Sequence, residues 1–222
     1  MSINYWQPLE EQCFYHIYNR SINKETIFKS DENYRFFLRR WGKYLSPYVD
    51  TYTYALIPNH FHFLARVRPA DEAFLASAKK ELTKRGQKFV AGEINVSEFL
   101  EDQMKRFLGS YAEAFNKQEN REGSLLQKRF KRVMIKSEVQ LLYMIAYNHH
   151  NPIHHKLVKN YEDWKYTSYR AICSNAPTKI CRDAVLDLFS EGDAQKAMKL
   201  FLEYHKNFKI DKGMEDWMLD HE

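Results

Sequence analysis

The sequence predicts an α+β fold: a ferredoxin-like antiparallel sheet with helices packed on one face, a helical insertion over residues 70–120 and a helical C-terminal tail. Three observations carry this. Segments of period two and of period 3.6 follow one another as strand, helix, strand, strand, helix, strand, helix as far as Pro152. The second and third strands are joined only by the short turn at Pro58-Asn59. A chain of 222 residues, 44% hydrophobic and 15% aromatic, can bury a sizeable core, and it suits one elaborated domain better than two equal ones.

Each element has its own signal. Cys13 to Asn19 alternates as a first strand and is closed by Arg20-Ser21-Ile22-Asn23. Asp31 is the expected N-cap of a first helix, because Tyr34, Phe37, Leu38, Trp41 and Leu45 then recur at helical spacing up to Ser46-Pro47. Val49 to Ile57 and His60 to Val67, rich in aromatic and β-branched residues, are the second and third strands. Residues 70–120 read as amphipathic helix with a break at Gly92, and Phe99, Leu100, Met104, Phe107, Leu108, Tyr111 and Phe115 mark its long second part. Gln127 to Ile135 is a fourth strand. Ser137 caps a final helix that Pro152 is expected to stop. The third strand is expected to be central, and a central strand is a rigid support for a site.

Composition narrows the function. No apolar run approaches the ~20 residues that span a bilayer, and the first residues lack the layout of a signal peptide, so a soluble, cytoplasmic protein is expected. Three cysteines without Cys-x-x-Cys spacing offer neither a disulfide framework nor a zinc knuckle. Net charge is +5, unevenly placed: residues 183–222 hold ten acids against five lysines, which leaves +10 on residues 1–182. The expected division is therefore a basic body, 1–182, and an acidic helical extension, 183–222. A basic body points to a polyanion, nucleic acid before membrane.

The candidate chemistry centres on His60-Phe61-His62-Phe63. At strand period, His60 and His62 share one face, and two neutral imidazoles at i and i+2 can hold one divalent cation. Tyr147 and Asn151, four apart on the last helix, share a helix face that can be laid on the histidines. A phenol with an unperturbed pKa of ~10 is a poor nucleophile, but beside a cation holding a phosphodiester it can attack phosphorus. Asn151 is a candidate third ligand of the oxygen type that Mg2+ or Mn2+ prefers. Lys128, Arg129, Lys131 and Arg132, in a stretch without an acid, are candidate phosphate contacts, with charged protection of an edge strand as the alternative. Arg20 and His149 complete the candidate DNA-binding set. Tyr143, one turn before Tyr147, reads as a packing residue or a base-stacking platform.

These elements together resemble a known family. Ala55-Leu56-Ile57-Pro58-Asn59-His60-Phe61-His62, followed by Tyr147-Asn148-His149-His150-Asn151-Pro152, is similar to the single-tyrosine HUH transposases of insertion sequences, and closest to their REP-associated tyrosine transposase branch. Tyr15-His16-Ile17-Tyr18-Asn19-Arg20, Gln127-Lys128-Arg129-Phe130-Lys131 and Trp164-Lys165-Tyr166-Thr167-Ser168-Tyr169 extend the likeness over roughly residues 12 to 170. Ser21, where a glycine is common, and the length of residues 70–120 depart from it. The resemblance implies metal ligation by His60, His62 and Asn151 and nucleophilic attack by Tyr147. It also implies nicking of single-stranded DNA beside a hairpin through a 5′-phosphotyrosine, followed by rejoining. Monomer and homodimer are both compatible with it. Two alternatives stay open: a catalytically silent or host-domesticated hairpin-binding protein of the same fold, and an unrelated His-x-His metallohydrolase.

Overall fold

The computed structural model describes residues 4–81 and 83–211. Four strands, β1 (Phe14–Arg20), β2 (Val49–Ile57), β3 (His60–Val67) and β4 (Lys131–Ile135), form one antiparallel sheet in the order β2-β3-β1-β4. As expected, β3 is internal. Helix α1 (Asp31–Tyr44) lies between β1 and β2, and the 70–120 insertion is three helices: α2 (Glu72–Lys79), α3 (Lys84–Val90) and α4 (Val96–Gln118). Gly92 follows α3 at φ +74°, a left-handed conformation that favours glycine, and an Asn95/Glu98 capping box then starts α4. Helix α5 (Glu138–His154) follows β4, and α6 (Tyr169–Cys173), α7 (Arg182–Asp187) and α8 (Ala194–Asn207) complete the described chain.

Three expectations need correction. The cap of α1 is Ser30, not Asp31: the Ser30 hydroxyl accepts from the Asn33 amide, while Asp31 inside the first turn is paired with Lys165 and Tyr166. Pro152 does not stop α5, which runs to His154, because a proline in the last turn forfeits one hydrogen bond to a helix already packed along its length. The helices also occupy both faces of the sheet rather than one. The odd-numbered side chains of β3, Phe61 and Phe63, meet α1 and α4, with Trp41 stacked on Phe63 at 3.7 Å and Phe37 against Phe107 at 4.7 Å. The opposite face carries Tyr52, Leu64 and Ile135 beside the histidines, and α5 buries it together with α7 and α8 through Leu141, Ile145, Val185 and Phe201. A face that mixes imidazoles with apolar side chains is still worth covering, at about 25 cal/mol per Å² of apolar area removed from water.

A register shift between Thr51 and Thr53 serves both layers. Thr51 points to α1 and accepts from Trp41 Nε1 at 2.9 Å, whereas Thr53 points to α5 and its Oγ1 accepts from Asn148 Nδ2 at 2.8 Å. The bulge thus ties the tyrosine helix to β2. The acidic residues at 215, 216, 220 and 222, and the rest of the tail beyond 211, lie outside the described residues. What precedes them is not a loose appendage: α7 and α8 share one apolar cluster with α5. Among the described residues no helix is long and apolar enough to cross a membrane.

Candidate active site between the sheet and helix α5

Strand register brings five side chains to one face. His60 lies opposite Arg20 and His62 opposite Tyr18, with His16 next along β1. Both histidines of β3 are buried, as is His16. Burial pushes His16 and His60 down to about 3 and His62 well below the ordinary imidazole value, the neighbouring imidazoles and Arg20 adding to the effect on β3. All three rings are therefore neutral near pH 7, the form that ligates metal without competing with a proton.

Hydrogen bonds sort the ring nitrogens. Asn59 Oδ1 lies 2.6 Å from His60 Nδ1, and a carbonyl oxygen only accepts, so the His60 proton sits on Nδ1 and its Nε2 carries the lone pair. His62 Nδ1 lies 2.9 Å from His16 Nε2, while His62 Nε2 is buried without a hydrogen-bond partner. His16 itself stacks on Tyr18 at 4.6 Å.

Helix α5 closes the face. Tyr147 sets its ring edge-on to His62 and His16, centroids 6.1 and 6.5 Å away, and is 1% exposed. One turn on, the buried Asn151 carboxamide faces the His60 ring closely enough to act on its protonation, and it has no well-formed hydrogen bond to any other described group. A desolvated imidazole nitrogen without a hydrogen-bond partner, as at His62, costs about 1–3 kcal/mol unless a ligand takes it up. A divalent cation held by His60, His62 and Asn151 would answer that cost, and nitrogen and oxygen donors of these kinds suit one. Tyr143 stacks on Tyr147 at 6.2 Å, but its hydroxyl accepts from the Asp211 amide at 3.0 Å.

A curated Haemophilus influenzae protein named as a REP-associated tyrosine transposase is 25% identical over 122 residues, 54% of this chain and 58% of that protein. The chain resembles the REP-associated tyrosine transposases. The match spans under two thirds of that relative's length, and no family model matches the chain. A solved structure of a REP-associated tyrosine transposase bound to a REP hairpin gives a TM-score of 0.49 at 13% identity, covering 80% of this chain and 89% of the other.

Of the cations read from sequence as DNA contacts, the fold brings two to this face. Arg20 stands beside His60, and Lys131 holds its ammonium 5.6 Å from the Tyr18 ring centre and 5.1 Å from that of Tyr5. Lys128 and Arg129 are exposed in the segment before β4.

The other two are corrected. Arg132 is buried on the opposite face, paired with Glu101 of α4 and donating from Nε to Gln7 O at 2.5 Å. It is a structural cation. His149 is buried with both ring nitrogens engaged inside the fold, Nδ1 2.7 Å from His205 Nε2 and Nε2 2.8 Å from Ser168 Oγ, so it joins α5 to α8 and has no nitrogen left for a phosphate. Sequence reading missed the roles of His16 and Asn59; their signal was the imidazole on β1 at strand period and the carboxamide preceding His60. It also missed His155, whose ring centroid lies 4.5 Å from that of His60.

The His149–His205 pair has a stability signature. Burial pushes His205 down to about 4 and His149 well below its ordinary value. Below pH 6.5 the unfolded chain binds protons that the folded one refuses until about pH 4, so stability falls as pH drops through this window, by about 3 kcal/mol for His205 alone. Urea melts at pH 7 and pH 5 should show a steeper acid loss for the parent than for His205→Leu; equal slopes would exclude the pair as the cause.

Proposed function

We propose that the protein is a metal-dependent, single-tyrosine DNA strand-transferase that nicks and rejoins single-stranded DNA at hairpin-forming repeats, with Tyr147 as nucleophile. The observation that carries it is the convergence of a buried phenol with the unpartnered Nε2 of His62 and with the Asn151 carboxamide that faces His60, on a chain similar to a protein named for that activity. In the first step the Tyr147 oxygen bonds to phosphorus and the bond from phosphorus to the 3′-oxygen breaks. The phenol proton is balanced by the one gained at the new 3′-hydroxyl, and the strand is held as a 5′-phosphotyrosine. Rejoining is the reverse attack by a 3′-hydroxyl.

His60, His62 and Asn151 would hold Mg2+ or Mn2+, which supplies polarisation of a phosphoryl oxygen and offsets charge as the 3′-oxygen leaves. The chain's own residues do the rest. Asn59 keeps the His60 lone pair on Nε2, Arg20 and Lys131 present positive charge to the scissile phosphate, and the Asn148–Thr53 bond holds Tyr147 and Asn151 at their height on the sheet. A hairpin beside unpaired DNA is the proposed partner, and no membrane is implied.

The cations divide into a testable set. Lys128→Ala and Arg129→Ala should each lower the salt slope of DNA binding by ~0.7 to 1 without changing stability. Arg132→Ala should instead cost about 2 kcal/mol of stability, because Glu101 and the Gln7 carbonyl lose their partner, and should leave the slope unchanged. Titrations at three salt concentrations beside urea melts check both. A salt slope that responds to Arg132 alone would reverse the assignment. Covalent capture of a hairpin oligonucleotide tests the activity itself; its absence with metal present would leave a hairpin-binding protein of the same fold.

A further inference from the structure

The N-terminal segment runs along the free edge of β4, bridging in parallel at Trp6 and Arg132, and with α4 and the segment before β4 it walls a groove of about 550 Å³. Trp6 is 48% exposed there. An indole usually buries most of its area, and one left half in water at the lip of a groove has a flat face to offer.

The groove's charge has one sign. Glu101, the one acid in its lining, is already neutralised by Arg132. Lys105, Lys128 and Arg129 are exposed, and none forms an ion pair among the described residues. The Arg129 guanidinium lies over the Trp6 ring, 6.0 Å from its centre, so a cation already sits on one face of the indole and a base would take the other. Chain neighbours of the groove lining reach the histidine face at the β4 edge. Next to Trp6 and Arg132 on their strands, Tyr5 and Lys131 turn to the histidine face, where Lys131 spans Tyr5 and Tyr18, and Tyr18 stacks on His16.

We propose that this groove binds a short run of unpaired single-stranded DNA, with one base stacked on Trp6 and its phosphates met by Lys105, Lys128 and Arg129. The strand then passes around the β4 edge to the face of Tyr147. This rests on the nucleic-acid reading above and adds to it the path of the unpaired strand. Aromatic stacking beside unpaired cations is the chemistry of sequence-tolerant single-strand binding, since every base has a π-face. A duplex, its bases already stacked, gains nothing from Trp6.

The test uses binding without cleavage: fluorescence-anisotropy titration of the full chain with a twelve-residue oligothymidine and with a blunt-ended hairpin duplex. Trp6→Ala should weaken binding of the oligothymidine by about 5- to 150-fold and leave the blunt duplex within about twofold. Trp6→Phe should recover most of the loss, and Lys105→Ala should lower the salt slope for the oligothymidine by ~0.7. Oligothymidine should quench the tryptophan fluorescence of the parent more than that of Trp6→Phe. The proposal falls if Trp6→Ala binds oligothymidine as tightly as the parent, or loses duplex and single strand alike. It also falls if an acidic peptide competes at the groove as well as oligothymidine does. Covalent capture by the parent, scored beside these titrations, separates the two readings: no adduct in the parent with Trp6 dependence intact keeps the groove and sinks the strand-transfer reading, and an adduct in the parent without Trp6 dependence removes only the groove.

Discussion

Tyr147→Phe is expected to bind hairpin DNA and divalent metal as the parent does, and to form no covalent adduct. The substitution removes one oxygen from a ring that is 1% exposed and leaves its edge contacts to His62 and His16, so its structural cost stays near 1 kcal/mol. The chemical cost is far larger. Without that oxygen no bond to phosphorus forms, and the loss should exceed about 10³-fold. Tyr143 is the neighbouring phenol on the same helix that could stand in. It lies a turn further from Asn151, ~5.4 Å along the axis, and its hydroxyl is engaged by the Asp211 backbone. Tyr143→Phe should therefore keep the adduct. A denaturing gel with a hairpin oligonucleotide carrying an unpaired flank, followed by peptide mapping, reads both variants. An adduct mapped to Tyr143, or one that survives in Tyr147→Phe, would move the nucleophile.

The two periodicities that made this site legible also set the limit of what could be read. A period of two puts His60 and His62 on one face whatever the fold, and a period of 3.6 puts Tyr147 and Asn151 on one stripe, so their meeting needed only a helix laid across a sheet. The same arithmetic separates Lys131 from Arg132. What it could not supply was the identity of the layer each would meet. Glu101, 31 residues away on α4, turns Arg132 into a buried pair, and that depends on where the insertion packs. His149 stands ~200° around the helix from Tyr147, which already points it away from the sheet. Only the placement of α8 and Ser168 shows that it is a buried tie. The expectation of helices on one face failed because a strand carrying two imidazoles reads as half polar, whereas Tyr52, Leu64 and Ile135 make that face as coverable as the other. The bulge at Thr51 to Thr53, which lets β2 serve both layers, has no glycine or proline to announce it.

His16→Phe should lower metal affinity by about 10- to 100-fold while the protein stays folded. Two neutral imidazoles 2.9 Å apart share one proton, and its position decides what His62 can do. With the proton on His62 Nδ1, His16 Nε2 accepts it, and His62 presents a lone pair at its unpartnered Nε2 beside Asn151. With the proton on His16 Nε2, His62 must carry its own on Nε2 and cannot ligate. Metal binding would therefore select the first arrangement, in which His16 is the acceptor that would hold His62 in a ligating tautomer, as Asn59 would for His60. Phenylalanine keeps the stack on Tyr18 and removes the acceptor; glutamine restores one. Calorimetric titration with Mn2+ should rank parent, His16→Gln and His16→Phe in that order. Nitrogen-15 shifts of the metal-free protein should show the His62 proton moving toward Nε2 in His16→Phe. Adduct formation should return at high metal concentration in His16→Phe but not in His62→Ala, which separates a positioning residue from a ligand. Unchanged Mn2+ affinity in a folded His16→Phe protein would show that His62 does not depend on its neighbour.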